Sequence, residues 1–228
     1  MSIILNIDTA AEKAHVSFAK NGQILHALNS GSQKEHASFL QTAIQELIKI
    51  TGIVLKDINA VAVTSGPGSY TGLRVGMASA KGLCYALKKP LITIGSLEVL
   101  TVSALQLFPE TPEAVLFCPM IDARRMEVFT AIYQKDLTEF HPPSAMILDE
   151  FSFEKELDLK KMMFFGSGAD KWKLVCKHTN AVFETVSILP ESMSKCSDIL
   201  FSENKFTELA YSQPLYVKEF QTVIKSQE

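Results

Sequence analysis

Ile58-Asn59-Ala60-Val61-Ala62-Val63-Thr64-Ser65 runs directly into Gly66-Pro67-Gly68-Ser69-Tyr70-Thr71-Gly72 and then Leu73-Arg74-Val75-Gly76-Met77. An apolar run that ends in a glycine-rich bend and resumes with apolar residues at helical spacing reads as strand, loop, helix. The helix extends from Leu73 to Lys88, and Pro90 ends it. Leu91–Ile94 is then a short strand and Leu97–Leu107 the next helix. Upstream, Ile3–Asp8 is a buried strand. Ala14–Ala19 and Gln23–Asn29 are strands joined by Asn21-Gly22, a strong hairpin signal. Glu35–Ile50 has helical spacing, and Gly52 stops it. Hairpins followed by strand–helix alternation predict an α/β fold, a mixed sheet with helices against it.

The second half starts again with strands, over Val115–Ile121 and Met126–Tyr133, with further candidates at Met146–Leu148 and Met162–Phe165. Helices are expected near Glu150–Leu157, Ala169–His178 and Ser192–Leu200. Charge separates the halves: residues 1–108 carry +3 and residues 109–228 carry −6, within a chain total of −3. The change falls at Pro109-Glu110-Thr111-Pro112, so the expected domains are 1–108 and 109–228.

With 228 residues and 47% hydrophobic content the chain can bury a core without staples and is not disordered. Its small negative charge argues against tight binding of nucleic acid by the chain alone. Cys84, Cys118, Cys176 and Cys196 are far apart, which favours reduced buried thiols in a cytoplasmic protein over a disulfide or zinc framework. The opening residues read as a strand rather than a signal peptide, and no apolar run reaches the ~20 residues of a membrane span.

The helix after the glycine bend is unusual. From Ile58 to Leu97 there is no Asp or Glu, and the charges are Arg74, Lys81, Lys88 and Lys89. A surface helix normally carries one apolar stripe and a broad polar face. This one is small or apolar almost all round, and the helix at 35–50 carries two apolar stripes. Either the two helices pack on each other within one domain, or they form a face for a second chain. The candidate face comprises Phe39, Leu40, Ala43, Leu47, Leu73, Gly76, Met77, Ala80 and Leu83.

The glycine bend enters a helix N-terminus, which suits an anion. Asp8, Gly66, Gly68, Ser69 and Gly72 are its candidate residues, and a tight turn without ligand is the plain alternative. No Gly-Lys-Ser/Thr follows, so the bend is not a P-loop. The third glycine comes one residue late for a dinucleotide fingerprint, and the acidic ribose partner is missing. No two histidines stand three or four apart and there is no G-x-S-x-G, so no metal ligand or catalytic residue is assigned.

Three segments resemble the TsaB (YeaZ) family, a partner subunit in tRNA threonylcarbamoyladenosine synthesis: Ile7-Asp8-Thr9, Gly66 through Gly76, and Asp122-Ala123-Arg124-Arg125-Met126-Glu127-Val128-Phe129. The ending Pro214-Leu215-Tyr216-Val217-Lys218 resembles the family's Pro-x-Tyr-Leu-Arg, with Lys in place of Arg. The resemblance is thin between residues 134 and 213.

The resemblance implies two related actin/Hsp70/sugar-kinase-like domains and pairing with a catalytic paralog, TsaD, through the two helices flanking the glycine bend. It places a metal and ATP on that partner and none on this chain. It brings in a small ATPase, TsaE, and reaches tRNA through the complex. A homodimer through the same helices is the other assembly. Kinases of this fold hold phosphate with Asp-x-Gly-Thr/Ser. Asp8-Thr9-Ala10-Ala11 lacks that glycine, which argues against a stand-alone kinase. A metalloprotease, a label relatives have carried, lacks its ligands. Arg124 and Arg125 follow a strand end. They either pair with Asp122 and Glu127 at the surface or meet a partner or tRNA phosphate.

Overall fold

The computed structural model describes residues 2–11, 13–31 and 36–217. Its first three strands, β1 (Ile3–Asp8), β2 (His15–Lys20) and β3 (Gln23–Asn29), are antiparallel neighbours. Asn21 and Gly22 turn the chain with φ of 49° and 75°, as a two-residue hairpin of this hand requires. Helix α1 (His36–Thr51) leads to β4 (Ala60–Gly66), α2 (Tyr70–Leu87), β5 (Leu91–Gly95) and α3 (Ser96–Leu107). β4 and β5 pair in parallel beside β1, giving the order β3-β2-β1-β4-β5.

A second sheet repeats this plan. β6 (Leu116–Asp122), β7 (Glu127–Tyr133) and β8 (Glu139–Ile147) are antiparallel. β9 (Met162–Phe165) and β10 (Ala181–Glu184) add in parallel on the far side of β6. Its order is β10-β9-β6-β7-β8, the first sheet's order with each strand replaced by its counterpart. Helices α4 (Glu154–Leu159), α5 (Ala169–Lys173) and α6 (Pro190–Ser202) belong to the second half.

Strand side chains alternate between faces, so each sheet feeds two cores. Leu5 and Ile7 of β1 face α1 and α2 with Leu40, Leu47, Met77 and Ala80. Ile4 on the same strand faces a central core with Leu100 of α3, Met193 of α6 and Phe117 of β6. The outer face of the second sheet packs Phe164 against Phe153 and Trp172, with ring centroids 5.3 and 4.5 Å away.

After residue 139, β9 falls where the sequence places it, at Met162–Phe165, while the other elements shift. β8 begins at Glu139 and contains Pro142 and Pro143, which a strand tolerates because β8 is a sheet edge. The helix expected from 150 begins at Glu154, the one expected to 178 stops at Lys173, and β10 was unforeseen. After α6 the chain crosses back to the first sheet: Thr207 N donates to Leu91 O at 2.8 Å and Leu215 N to Ser65 O at 2.7 Å.

Candidate partner face and glycine bend

The glycines of the bend answer to packing inside the chain. Ser69 caps α2, its Oγ accepting from Gly72 N at 3.2 Å, while Ser69 N donates to Ala10 O at 2.8 Å. The loop after β1 thus lies directly on the bend. A Cβ at Gly68 would fall under 3.0 Å from Ala10 O, and one at Gly76 under 3.0 Å from Thr9 Oγ1. Thr9 Oγ1 donates to Gly72 O at 2.7 Å, tying the end of β1 to the first turn of α2. Gly66 sits beneath Leu215 O, which a Cβ there would meet at 2.9 Å. These contacts give Gly66, Gly68 and Gly76 a packing reason within the chain.

Asp8 ends β1 and is buried. Its Oδ1 accepts from Thr64 Oγ1 at 2.7 Å and from Ala10 N at 3.0 Å. Its Oδ2 and both polar atoms of the Asn6 side chain have no hydrogen-bond partner. These groups border a cavity of about 10 Å³, lined on one side by Asn6, Asp8 and Ser17 and on the other by Ile188, Pro190 and Met193. Among the described residues, no three His, Cys, Asp or Glu side chains gather as a metal-holding group, and all four cysteines are free thiols. Burial pushes Cys84 up to about 11 and Cys118 and Cys196 up to about 12.

The face expected from sequence turns largely inward. Leu40, Ala43, Leu47, Leu73, Gly76, Met77 and Ala80 are buried in the chain's own core, and Phe39 and Leu83 are half-buried against it. Within the chain, Gly76 packs on Thr9 and Val63, and Ala80 is buried in the same core. Helical spacing defines a stripe but not which stripe the sheet will cover. The outward row is Thr71, Ala78, Gly82, Tyr85 and Ala86, with Tyr85 80% exposed and nothing within 4 Å of a Cβ at Gly82.

The outward row has structure on both flanks. On one, Gln41 of α1 donates to Ser79 Oγ at 3.4 Å. On the other, the segment after α6 runs past Lys81 and Arg74. Lys81 Nζ donates to Ala210 O and Ser212 O at 3.2 and 2.9 Å. Arg74 Nε donates to Tyr216 Oη at 3.1 Å and its guanidinium lies 3.9 Å over the Tyr70 ring. Ala78, Gly82, Tyr85 and Tyr216 lie outside the face expected from sequence. The acid-free composition covered the first three but could not separate them from the inward row, and nothing local ties Tyr216 to α2.

Arg124 and Arg125 form the tip between β6 and β7, both exposed and both at positive φ, 73° and 49°. The tip is held by Arg124 N on Asp122 Oδ1 at 3.1 Å and Glu127 N on Arg124 O at 3.0 Å. The Asp122 carboxylate pairs with Lys171 Nζ rather than with either guanidinium.

Two sheets of one strand order, each opening with antiparallel hairpins and closing with parallel strands, give the chain an actin/Hsp70/sugar-kinase-like fold. The Listeria monocytogenes protein Lmo2764, proposed as an N-acetylmannosamine kinase, has the same fold, with 9% identity, coverage of 89% of this chain and 100% of that one, and a TM-score of 0.50. A Pseudomonas aeruginosa structure with similarity to peptidase YEAZ superposes with a TM-score of 0.81 at 20% identity, covering 96% of this chain and 100% of that one. The family model described as TsaD, tRNA N6-adenosine threonylcarbamoyltransferase, matches residues 28–214. The tRNA threonylcarbamoyladenosine biosynthesis protein TsaB of Escherichia coli is 28% identical over 222 residues, 94% of each chain. The chain belongs to this TsaD family, as a member of the TsaB (YeaZ) kind.

The nucleotide that kinases of this class hold does not fit these residues. The cavity beside Asp8 is about 10 Å³, against roughly 300–1,000 Å³ for a small-molecule site, and the start of α6 closes it.

Proposed function

We propose that the chain is a non-catalytic subunit in tRNA threonylcarbamoyladenosine synthesis, pairing through α2 with a TsaD-like catalytic paralog in the cytoplasm. One observation carries this reading: the outward row of α2 is small and apolar, with Tyr85 80% exposed, in a stretch from Ile58 to Leu97 that has no acid. Apolar surface kept on a helix face is the usual mark of an interaction site. The face is therefore Thr71, Ala78, Gly82, Tyr85 and Ala86, with half-buried Phe39 and Leu83 at its margins. ATP and the metal belong to the paralog. A TsaE-like ATPase joins the pair, and tRNA is met through the complex.

The chain divides into domains 1–108 and 109–228, with residues 207–216 returning to the first. Arg124 and Arg125 serve as a contact for partner or tRNA phosphate, since Lys171 already neutralises Asp122. Two features weigh against a stand-alone kinase: the segment Asp8-Thr9-Ala10-Ala11 without its glycine, and the small cavity beside it. The reading is tested by mixing the purified chain with a purified TsaD-type paralog and following co-elution by light scattering. A complex is expected. Ala78→Glu buries an unpaired carboxylate in it, at a cost of several kcal/mol, and should abolish it while leaving the isolated chain's melting temperature unchanged. Undiminished co-elution of that variant refutes the face.

A further inference from the structure

The segment after α6 has no counterpart among the partner-face residues read from sequence, yet it is fastened to β4, β5 and α2 at every few residues. Thr207 N donates to Leu91 O at 2.8 Å and its Oγ1 lies 2.8 Å from Thr93 Oγ1. Leu209 packs against the core beneath α2. Lys81 Nζ holds the carbonyls of Ala210 and Ser212. Leu215 N donates to Ser65 O at 2.7 Å, and Tyr216 closes the run with its Oη on Arg74 and its ring 5.4 Å from that of Tyr70. The strap is anchored largely through backbone groups, so its apolar side chains are left outward: Tyr211 is 80% exposed and Leu215 43%.

The electrostatics of this arrangement are one-sided. Arg74 and Lys81 are held by carbonyls, a phenol and a ring face, all neutral, so their charge is positioned without being cancelled. Lys88 and Lys89 continue the same sign at the end of α2. Among described residues bordering the face, Glu46 on α1 is offset by Lys49, and the strap contributes Glu208. A two-fold pairing of this face with a second copy sets cations against cations, whereas a partner with carboxylates on its matching helix is attracted.

We infer that residues 207–216 form a strap that completes the partner face beside α2, and that the face selects a paralog bearing acidic side chains over a second copy of this chain. This rests on the pairing proposed above and adds its boundary and the chemistry of its partner. The strap supplies apolar contact through Tyr211, Leu215 and Tyr216, and it holds Arg74 and Lys81 where an acidic partner meets them.

The experiment measures binding of the purified full chain, Tyr216→Ala and Lys81→Met to a purified TsaD-type paralog by titration calorimetry. Circular dichroism verifies the fold of each variant. Both variants should weaken binding by at least about tenfold, the loss typical of an interface anchor. Binding of the full chain should weaken further as salt rises from about 50 to about 300 mM. Sedimentation of the chain alone should show self-association weaker than paralog binding. Variants that bind like the full chain overturn the strap. Salt-independent binding, or self-association tighter than paralog binding, overturns the acidic partner. Each of these results leaves the proposed pairing standing, whereas a full chain that never binds the paralog removes the pairing and the inference with it.

Discussion

Two glycines of α2, six residues apart, should respond oppositely to the same substitution. A Cβ at Gly76 falls under 3.0 Å from Thr9 Oγ1, 3.4 Å from Thr9 Cβ and 3.5 Å from Val63 Cγ2. Thr9 is fully buried, and relieving the clash turns its hydroxyl away from Gly72 O, its partner at 2.7 Å. An unpaired buried hydroxyl costs about 1–3 kcal/mol and overpacking about 1–3 kcal/mol more. The gain in helix propensity from Gly to Ala returns about 1 kcal/mol. Gly76→Ala should therefore destabilise the isolated chain by about 3 kcal/mol, or roughly 6–12 °C in melting temperature for a chain of this size. At Gly82 a Cβ has nothing within 4 Å, so Gly82→Ala should stabilise by about 0.5–1 kcal/mol. Urea unfolding of both variants, followed by far-UV circular dichroism, measures the difference. A Gly76→Ala protein as stable as the parent would refute the inward orientation of this row, and with it the assignment of the outward one.

Other consequences follow from burial elsewhere. Trp172 is fully buried against Phe164 and Phe153, with Nε1 donating to Asp149 O at 3.0 Å, so Trp172→Ala should cost about 3–5 kcal/mol in the same unfolding assay. Burial, with a contribution from Glu139, raises the Glu98 carboxyl above its ordinary 4.5. Because the folded value is the higher one, stability is lost as pH rises from that ordinary value through the folded one, and the loss is complete above it. Glu98→Gln should consequently raise the melting temperature at about pH 8 and leave it unchanged at about pH 4. Cys84, Cys118 and Cys196 are buried with thiols pushed up to about 11, 12 and 12, so a thiol reagent at neutral pH should label the folded chain at Cys176 alone.

Local chemistry made the first sheet readable. Asn21-Gly22 fixed the β2–β3 hairpin, and Ser69 with the glycine bend marked the entry to α2. The second sheet was less legible where global position overrides local preference. Pro142 and Pro143 argue against a strand until β8 is known to lie at an edge, and β10 is four half-buried residues paired on one side only. The candidate face was legible as a region and not as residues. Helical spacing cannot say that Gly76 meets Thr9, 67 positions earlier, or that Arg74 meets Tyr216, 142 positions later. Those contacts are set by where the sheet and the returning strap lie, which is information carried by the whole chain.

Hydrogen–deuterium exchange on the chain alone and bound to a TsaD-type paralog reads out whether α2 and the strap are covered. New protection is expected in peptides spanning residues 71–86 and 207–216, with the β8 edge unchanged. Protection confined to the second sheet, with α2 exchanging as it does in the free chain, would contradict it.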